Sequence, residues 1–230
     1  MKFGGKLMRV RGSAGRSWSL GILAFLALAV GAYALLLYGS PDGIKEQGFV
    51  TEKGSMPDLW YSVLWGHAVS AGIAIAIGWF QFIKRFRHRS PKAHRTIGYI
   101  YAAMVGIGGI TGLYLAFYAN GGLIAKVGFG TLSILWLYSL YRALKSIIVH
   151  RNKAEHGRWM ARNYALTCAA ITLRLYTTLA AGIWKITDTN ESFFVIAWIC
   201  WVPNLLFIEM LMSRKKRIGT THENGIYPKI

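Results

Sequence analysis

Residues 18–38 read WSLGILAFLALAVGAYALLLY, an apolar stretch without a single charged side chain. As a helix rising 1.5 Å per residue, it covers the roughly 30 Å of a bilayer's hydrocarbon core. Lys2, Lys6, Arg9, Arg11 and Arg16 precede it, and a polar connection from Ser40 to Asp58 follows. A secretory signal has a shorter apolar core, roughly 7–15 residues, and a small-x-small cleavage site, which does not follow cleanly here. The stretch therefore reads as a retained transmembrane helix. Outward from it the pattern recurs five times, at Leu59–Ile83, Ile97–Tyr118, Lys126–Val149, Met160–Trp184 and Phe193–Met212. The expected fold is all-α, a polytopic membrane protein of six transmembrane helices. Residues 18–212 form the membrane domain between a basic start, 1–17, and a basic tail, 213–230.

The composition agrees. Of 230 residues 54% are hydrophobic and 16% charged, and the apolar ones fall in long blocks. That excludes a soluble globule, a secreted disulfide module and a disordered chain. The net charge of +18 suggests a polyanion partner only until the cations are placed. Most Lys and Arg lie in 1–17, 84–97, 150–162 and 213–230, whereas six of the nine acids sit in the alternate connections. Such alternation is the positive-inside pattern, and it accounts for the charge without nucleic acid. Both termini and both basic loops are then expected on the cytoplasmic side. Tyr38, Trp60, Tyr61 and Trp184 mark the outer interface and Trp159 the inner one. Cys168 and Cys200, the two cysteines, fall inside apolar blocks and read as small buried hydrophobes.

The basic loops resemble one another. His88-Arg89 with His94 recurs as His150-Arg151 with His156, and Leu113-Tyr114 recurs as Leu175-Tyr176 at the same offset. A parallel duplication of the second to fifth helices, with the first and sixth flanking it, is the expectation.

The most specific strings are His67-Ala-Val-Ser-Ala-Gly72, Gly78-Trp79-Phe80-Gln81-Phe82, His94-Arg95-Thr96-Ile97-Gly98-Tyr99, His156-Gly157-Arg158-Trp159-Met160-Ala161-Arg162-Asn163-Tyr164-Ala165 and Leu173-Arg174-Leu175. Over roughly residues 60–180 they resemble a bacterial membrane-protein family known as domain of unknown function 2306. The family usually carries Arg where this chain has Tyr99. The resemblance implies a fold and a place in the bacterial cytoplasmic membrane, and no activity. A looser likeness, to two-haem membrane cytochromes, rests on histidines borne by bundled helices and is analogy.

Four histidine and arginine positions stand out. His94 and His156 open the third and fifth helices at the basic side. A duplication axis relating them would make bis-imidazole ligation of haem b feasible, with Arg158 and Arg162 suited to propionates. Capping or interfacial roles are the plainer alternative. His67 lies on the order of 12 Å inside the second helix and Arg174 on the order of 15 Å inside the fifth. Ionisable groups at that depth face a cavity or a partner. Asn163, Thr167 and Thr178 share the helix face of Arg174, so these residues could hold an anionic or quinone oxygen. Alternatively, Arg174 caps a carbonyl such as that of Ile199, which loses its donor to Pro203. Glu209 is a candidate interfacial partner for Arg142, Lys145 or a loop arginine. The glycines of the third helix, Gly108 and Gly112 among them, favour close helix packing. No metal-ligand motif, nucleophile–base pair or nucleotide loop occurs.

The sequence reading is thus a small membrane redox protein binding haem b or quinone. The alternatives are a transporter or sensor of an anionic small molecule through His67 and Arg174, and a scaffold subunit of a membrane complex. Lipid is the one partner every reading shares.

Overall fold

The computed structural model describes residues 7–37 and 42–224, with side chains for 18–37 and 43–214. Lys2, Lys6, Tyr38 and the side chains of Arg9, Arg11, Arg16 and His222 therefore lie outside the described residues. Within them, six helical stretches are long and apolar enough to cross a membrane, and no strand occurs. The elements are α1 (Leu7–Leu37), α2 (Asp42–Lys45), α3 (Gly48–Thr51), α4 (Asp58–Gly78), α5 (Lys84–Arg89), α6 (Pro91–Ala116), α7 (Gly122–Ile148), α8 (Lys153–Thr167), α9 (Ala169–Ile183), α10 (Thr189–Ile199) and α11 (Val202–Asn224). The chain divides into two compact units, Met1–Gly108 and Gly109–Ile230, with the division inside α6.

In the first unit α1 packs along α4. Small residues make this approach close: a Cβ added to Gly31 would stand 2.8 Å from Ala76 Cβ, and one added to Gly72 would stand 2.9 Å from Ala34 Cβ. Lipid tails are as apolar as leucine, so dispersion between closely apposed backbones holds such a pair together. From Asp42 the connection after α1 is helical in part. Its short helices α2 and α3 bury Ile44 and Val50, and Trp60 at the start of α4 is buried too. Lys45 and Lys53 lie over the rings of Tyr61 and Trp60 at 5.4 and 5.9 Å.

The second span does not run straight to its end. After Gly78 the chain tightens into a 3₁₀ turn, Trp79–Phe82, then turns extended at Ile83. The basic α5 follows, with its charged side chains exposed. Buried Gln81 donates from Nε2 to the carbonyl of His94 at 3.4 Å, tying the turn to the start of α6.

In the second unit α7 packs on α8 and α10, and α11 packs on α8. The turn before α7 needs glycine: Gly121 and Gly122 have φ of +85° and +68°, and a Cβ on Gly121 would meet Phe194 N at 2.7 Å. The fifth and sixth spans are each broken, at Cys168 and at Cys200–Trp201. The breaks stitch to one another. Thr172 Oγ donates to the Cys200 carbonyl, and Asn204 Nδ2 donates to that same carbonyl at 3.0 Å and to Thr172 Oγ at 3.2 Å. Backbone freed from helical pairing is tolerated at membrane depth only when such partners are supplied.

Candidate functional site

A dense polar cluster of the second unit sits where α7 ends and α8 begins. The chain reverses there in a tight connection. The amides of Val149 and His150 both donate to the Lys145 carbonyl, and Asn152 N donates to Ser146 O at 2.8 Å. Arg151 takes φ of +51°, the left-handed conformation that lets the reversal be so short. Asn152 then caps α8, accepting from Glu155 N at 3.0 Å. His156 Nδ1 lies 2.8 Å from the carbonyl of Ala143. A carbonyl can only accept, so Nδ1 carries the proton, and the imidazole pins α8 to α7.

Trp159, one turn further, is the hub. The guanidinium carbons of Arg142 and Arg162 each lie 4.6 Å from its ring, and Tyr138 meets it edge-on with centroids 5.7 Å apart. The two arginines are paired differently. Arg162 grips both carboxylate oxygens of Glu209, through Nε and through Nη2 at 3.0 Å. Arg142 donates to the Tyr138 hydroxyl at 2.8 Å and stands 3.6 Å from Glu155. Glu155 also accepts from Trp159 Nε1 at 3.4 Å.

Beside this cluster is an open cleft of about 510 Å³, lined by Tyr138, Tyr141, Arg142, Lys145, Ser146, His150, Asn152 and Glu155. Its size lies within the range of small-molecule sites, roughly 300–1,000 Å³. Arg142 and Lys145 face a single carboxylate in the lining, so the cleft carries excess positive charge even with His150 neutral. The ammonium of Lys145 is 5.7 Å from the Tyr141 ring, and Lys145 and His150 are both exposed. The arrangement can hold an anion. Its donors come from a point charge, an imidazole and an amide, and two aromatic rings form a wall.

His156 and Arg162 belong to the α7–α8 cluster, and Arg158 is exposed on α8. Glu209 pairs with Arg162. Asn163 and Thr167 are buried and turned to α7: Asn163 Nδ2 donates to the Trp136 carbonyl at 2.8 Å and to Ser139 Oγ at 2.9 Å. Thr167 Oγ accepts from Trp136 Nε1 at 2.9 Å. Arg174, beyond the break at Cys168, donates to the Ala170 carbonyl of its own helix at 3.0 Å. Next to Ile199, the Cys200 carbonyl accepts from Thr172 and Asn204. His94 and His67 belong to the first unit, and His67 Nδ1 lies 2.9 Å from the Gly108 carbonyl. Missed from sequence were Tyr138, Tyr141 and Trp136 and the roles of Thr172 and Asn204. A signal for the cleft was present: Tyr138, Tyr141, Arg142 and Lys145 fall at helical spacing near the end of a span.

A family model described as Predicted membrane protein (DUF2306) matches residues 64–212. The match therefore runs past residue 180 and through the Glu209 that holds Arg162. No curated protein and no solved structure matches the chain.

Proposed function

The chain belongs to the membrane-protein family DUF2306, and from that premise we propose that it binds a small anionic molecule at the α7–α8 cleft, as a transporter or sensor does. The observation that carries this reading is the cleft's lining, in which Arg142, Lys145 and His150 oppose Glu155 alone. Arg142 is held in place by Tyr138, Trp159 and Glu155, so little ordering remains to be done on binding. Lys145 and His150, exposed and without a carboxylate in the lining of their own, supply the contacts that a ligand completes. By the positive-inside pattern this end of the bundle faces the cytoplasm. Recognition is placed here rather than at His67 and Arg174 because the cleft gathers several donors in one cavity.

The test is ligand-dependent thermal stabilisation of the purified protein against inorganic phosphate, carboxylates and anionic lipid. A ligand present at 100 times its Kd stabilises by about 2.7 kcal/mol. The shift should vanish in Lys145→Gln/His150→Gln. Failure of all three classes to stabilise the protein would remove the reading.

A second reading, redox chemistry with haem b or quinone, draws on His156. Its Nδ1–H is committed to Ala143, which leaves Nε2 in the form that ligates iron, as outer-shell carbonyls do for ligating histidines. Arg158, two residues on in α8 and exposed, lies on a different helix face from His156 and lends this reading no support. A reduced-minus-oxidised spectrum of the purified protein decides this: a b-type signal lost in His156→Ala supports it, and a blank spectrum after growth with added haem precursor rejects the haem part.

A further inference from the structure

We infer that the anion held in the α7–α8 cleft is the phosphodiester headgroup of an acidic membrane lipid, whose chains lie along the outside of α7. The inference rests on the anion-binding reading above and names its ligand class. It begins from the register of α7. Ile134, Tyr138, Tyr141, Lys145 and Ile148 follow one another at steps of four, three, four and three residues, so they form one stripe. The four apolar members are 44–65% exposed, and Lys145 is exposed as well. On a membrane-spanning helix such a surface meets acyl chains.

The stripe and the cleft are continuous, because Tyr138, Tyr141 and Lys145 belong to both. A water-borne anion would use only the cationic end. A lipid uses the whole, with its chains on Ile134 and Tyr138 and its phosphate at Lys145 and His150. Tyrosines at the junction match the preference of amphipathic rings for headgroup depth. The charge matches too. Arg142 and Lys145 against Glu155 leave one net positive charge, which suits the single negative charge of a phosphodiester. Basic pockets between helices at a membrane surface take acidic headgroups on the same grounds.

The experiment uses the full chain in phosphatidylcholine nanodiscs with a rising fraction of phosphatidylglycerol, read by Tm. The expected result is a rise that saturates at a low acidic fraction. Lys145→Gln/His150→Gln should raise the half-saturating fraction tenfold or more. Arg87→Gln/Arg89→Gln, which removes exposed charge from α5, should leave it unchanged. Should the double cleft variant fail to fold, His150→Gln alone, at an exposed position, is expected to give a smaller rise of the same sign. Equal stabilisation by glycerol 1-phosphate or inorganic phosphate in pure phosphatidylcholine discs would overturn the lipid assignment while leaving an anion site. Loss of the effect in the α5 variant to the same extent would overturn it in favour of general surface charge. No stabilisation by any of these probes would overturn both the lipid and the anion readings.

Discussion

Gly72→Ala and Gly66→Ala make the same chemical change on the same helix, and the structure assigns them opposite signs. At Gly72 the new methyl would stand 2.9 Å from Ala34 Cβ on α1, whereas nothing lies within 4 Å of a Cβ at Gly66. Optimal carbon–carbon separation is about 3.5–4.0 Å, so α1 and α4 must part by on the order of 1 Å to admit the Gly72 methyl. A gap of that size forfeits a quarter to a half of each dispersion contact along the seam. Overpacking of this kind costs about 1–3 kcal/mol. Against it stands the alanine gain in helix propensity, about 0.5–1 kcal/mol at both sites. The expectation is a net loss of about 1–2 kcal/mol for Gly72→Ala and a gain of about 0–1 kcal/mol for Gly66→Ala. Gly31→Ala, with Ala76 Cβ at 2.8 Å and the Gly72 carbonyl at 2.9 Å, should behave like Gly72→Ala. The assay is reversible unfolding in mixed micelles titrated with dodecyl sulfate. Helices persist in that denatured state, so the propensity gain shrinks while the packing loss does not, and the contrast survives. Equal stabilities of the Gly72→Ala and Gly66→Ala proteins would refute the close α1–α4 contact.

Three further outcomes follow from the second unit. Asn163→Leu removes both donations to Trp136 and Ser139; at about 0.6 kcal/mol per interhelical bond and up to about 1.7, the loss should be about 1–2 kcal/mol in the same titration. Thr172→Val takes the hydroxyl from the Cys200 carbonyl while Asn204 still serves it, so a loss of about 1 kcal/mol is expected, larger in combination with Asn204→Leu. A double-mutant cycle of Arg162→Gln and Glu209→Gln should return a coupling of about 0–1 kcal/mol, because the two side chains are 23% and 41% exposed. A coupling well beyond that range would mean the pair is more shielded than its geometry indicates.

Much of the fold was legible because a bilayer imposes a length on apolar segments. Each of the six expected spans overlaps an observed one, and the ends moved by several residues where basic or polar turns continue the helix. Thus α6 begins at Pro91 rather than Ile97 and α8 at Lys153 rather than Met160. The breaks were not legible. Cys168 has neither proline nor glycine beside it, and Pro203 lies beyond Cys200, so local propensity gives no warning at the first and an offset one at the second. What joins the two regions is tertiary: Thr172, four residues past Cys168, and Asn204 both donate to the Cys200 carbonyl. In the candidate site, His156, Arg162 and Glu209 were visible as polar residues at a span's end. That Glu209 takes a basic partner was legible too, but that the partner is Arg162 rather than Arg142 or Lys145, and that His156 meets the Ala143 carbonyl, was not, since a helix face names what it presents and not what it meets.

What the sequence by itself determined is the number of crossings, the alternation of basic and acidic connections, and the family, all properties of segments read one at a time. The tertiary structure decided which polar groups are already satisfied. Asn163 and Thr167 share a helix face with Arg174 by spacing, yet Asn163 donates to α7 and Thr167 accepts from Trp136 of α7, while Arg174, past the break, donates to the Ala170 carbonyl of α9. Only packing could decide this, because a buried amide in an apolar bundle must take the nearest acceptor, and which acceptor is nearest depends on the neighbouring helix. The same packing brought Lys145 and His150 into one cleft lining with Tyr138, Asn152 and Glu155.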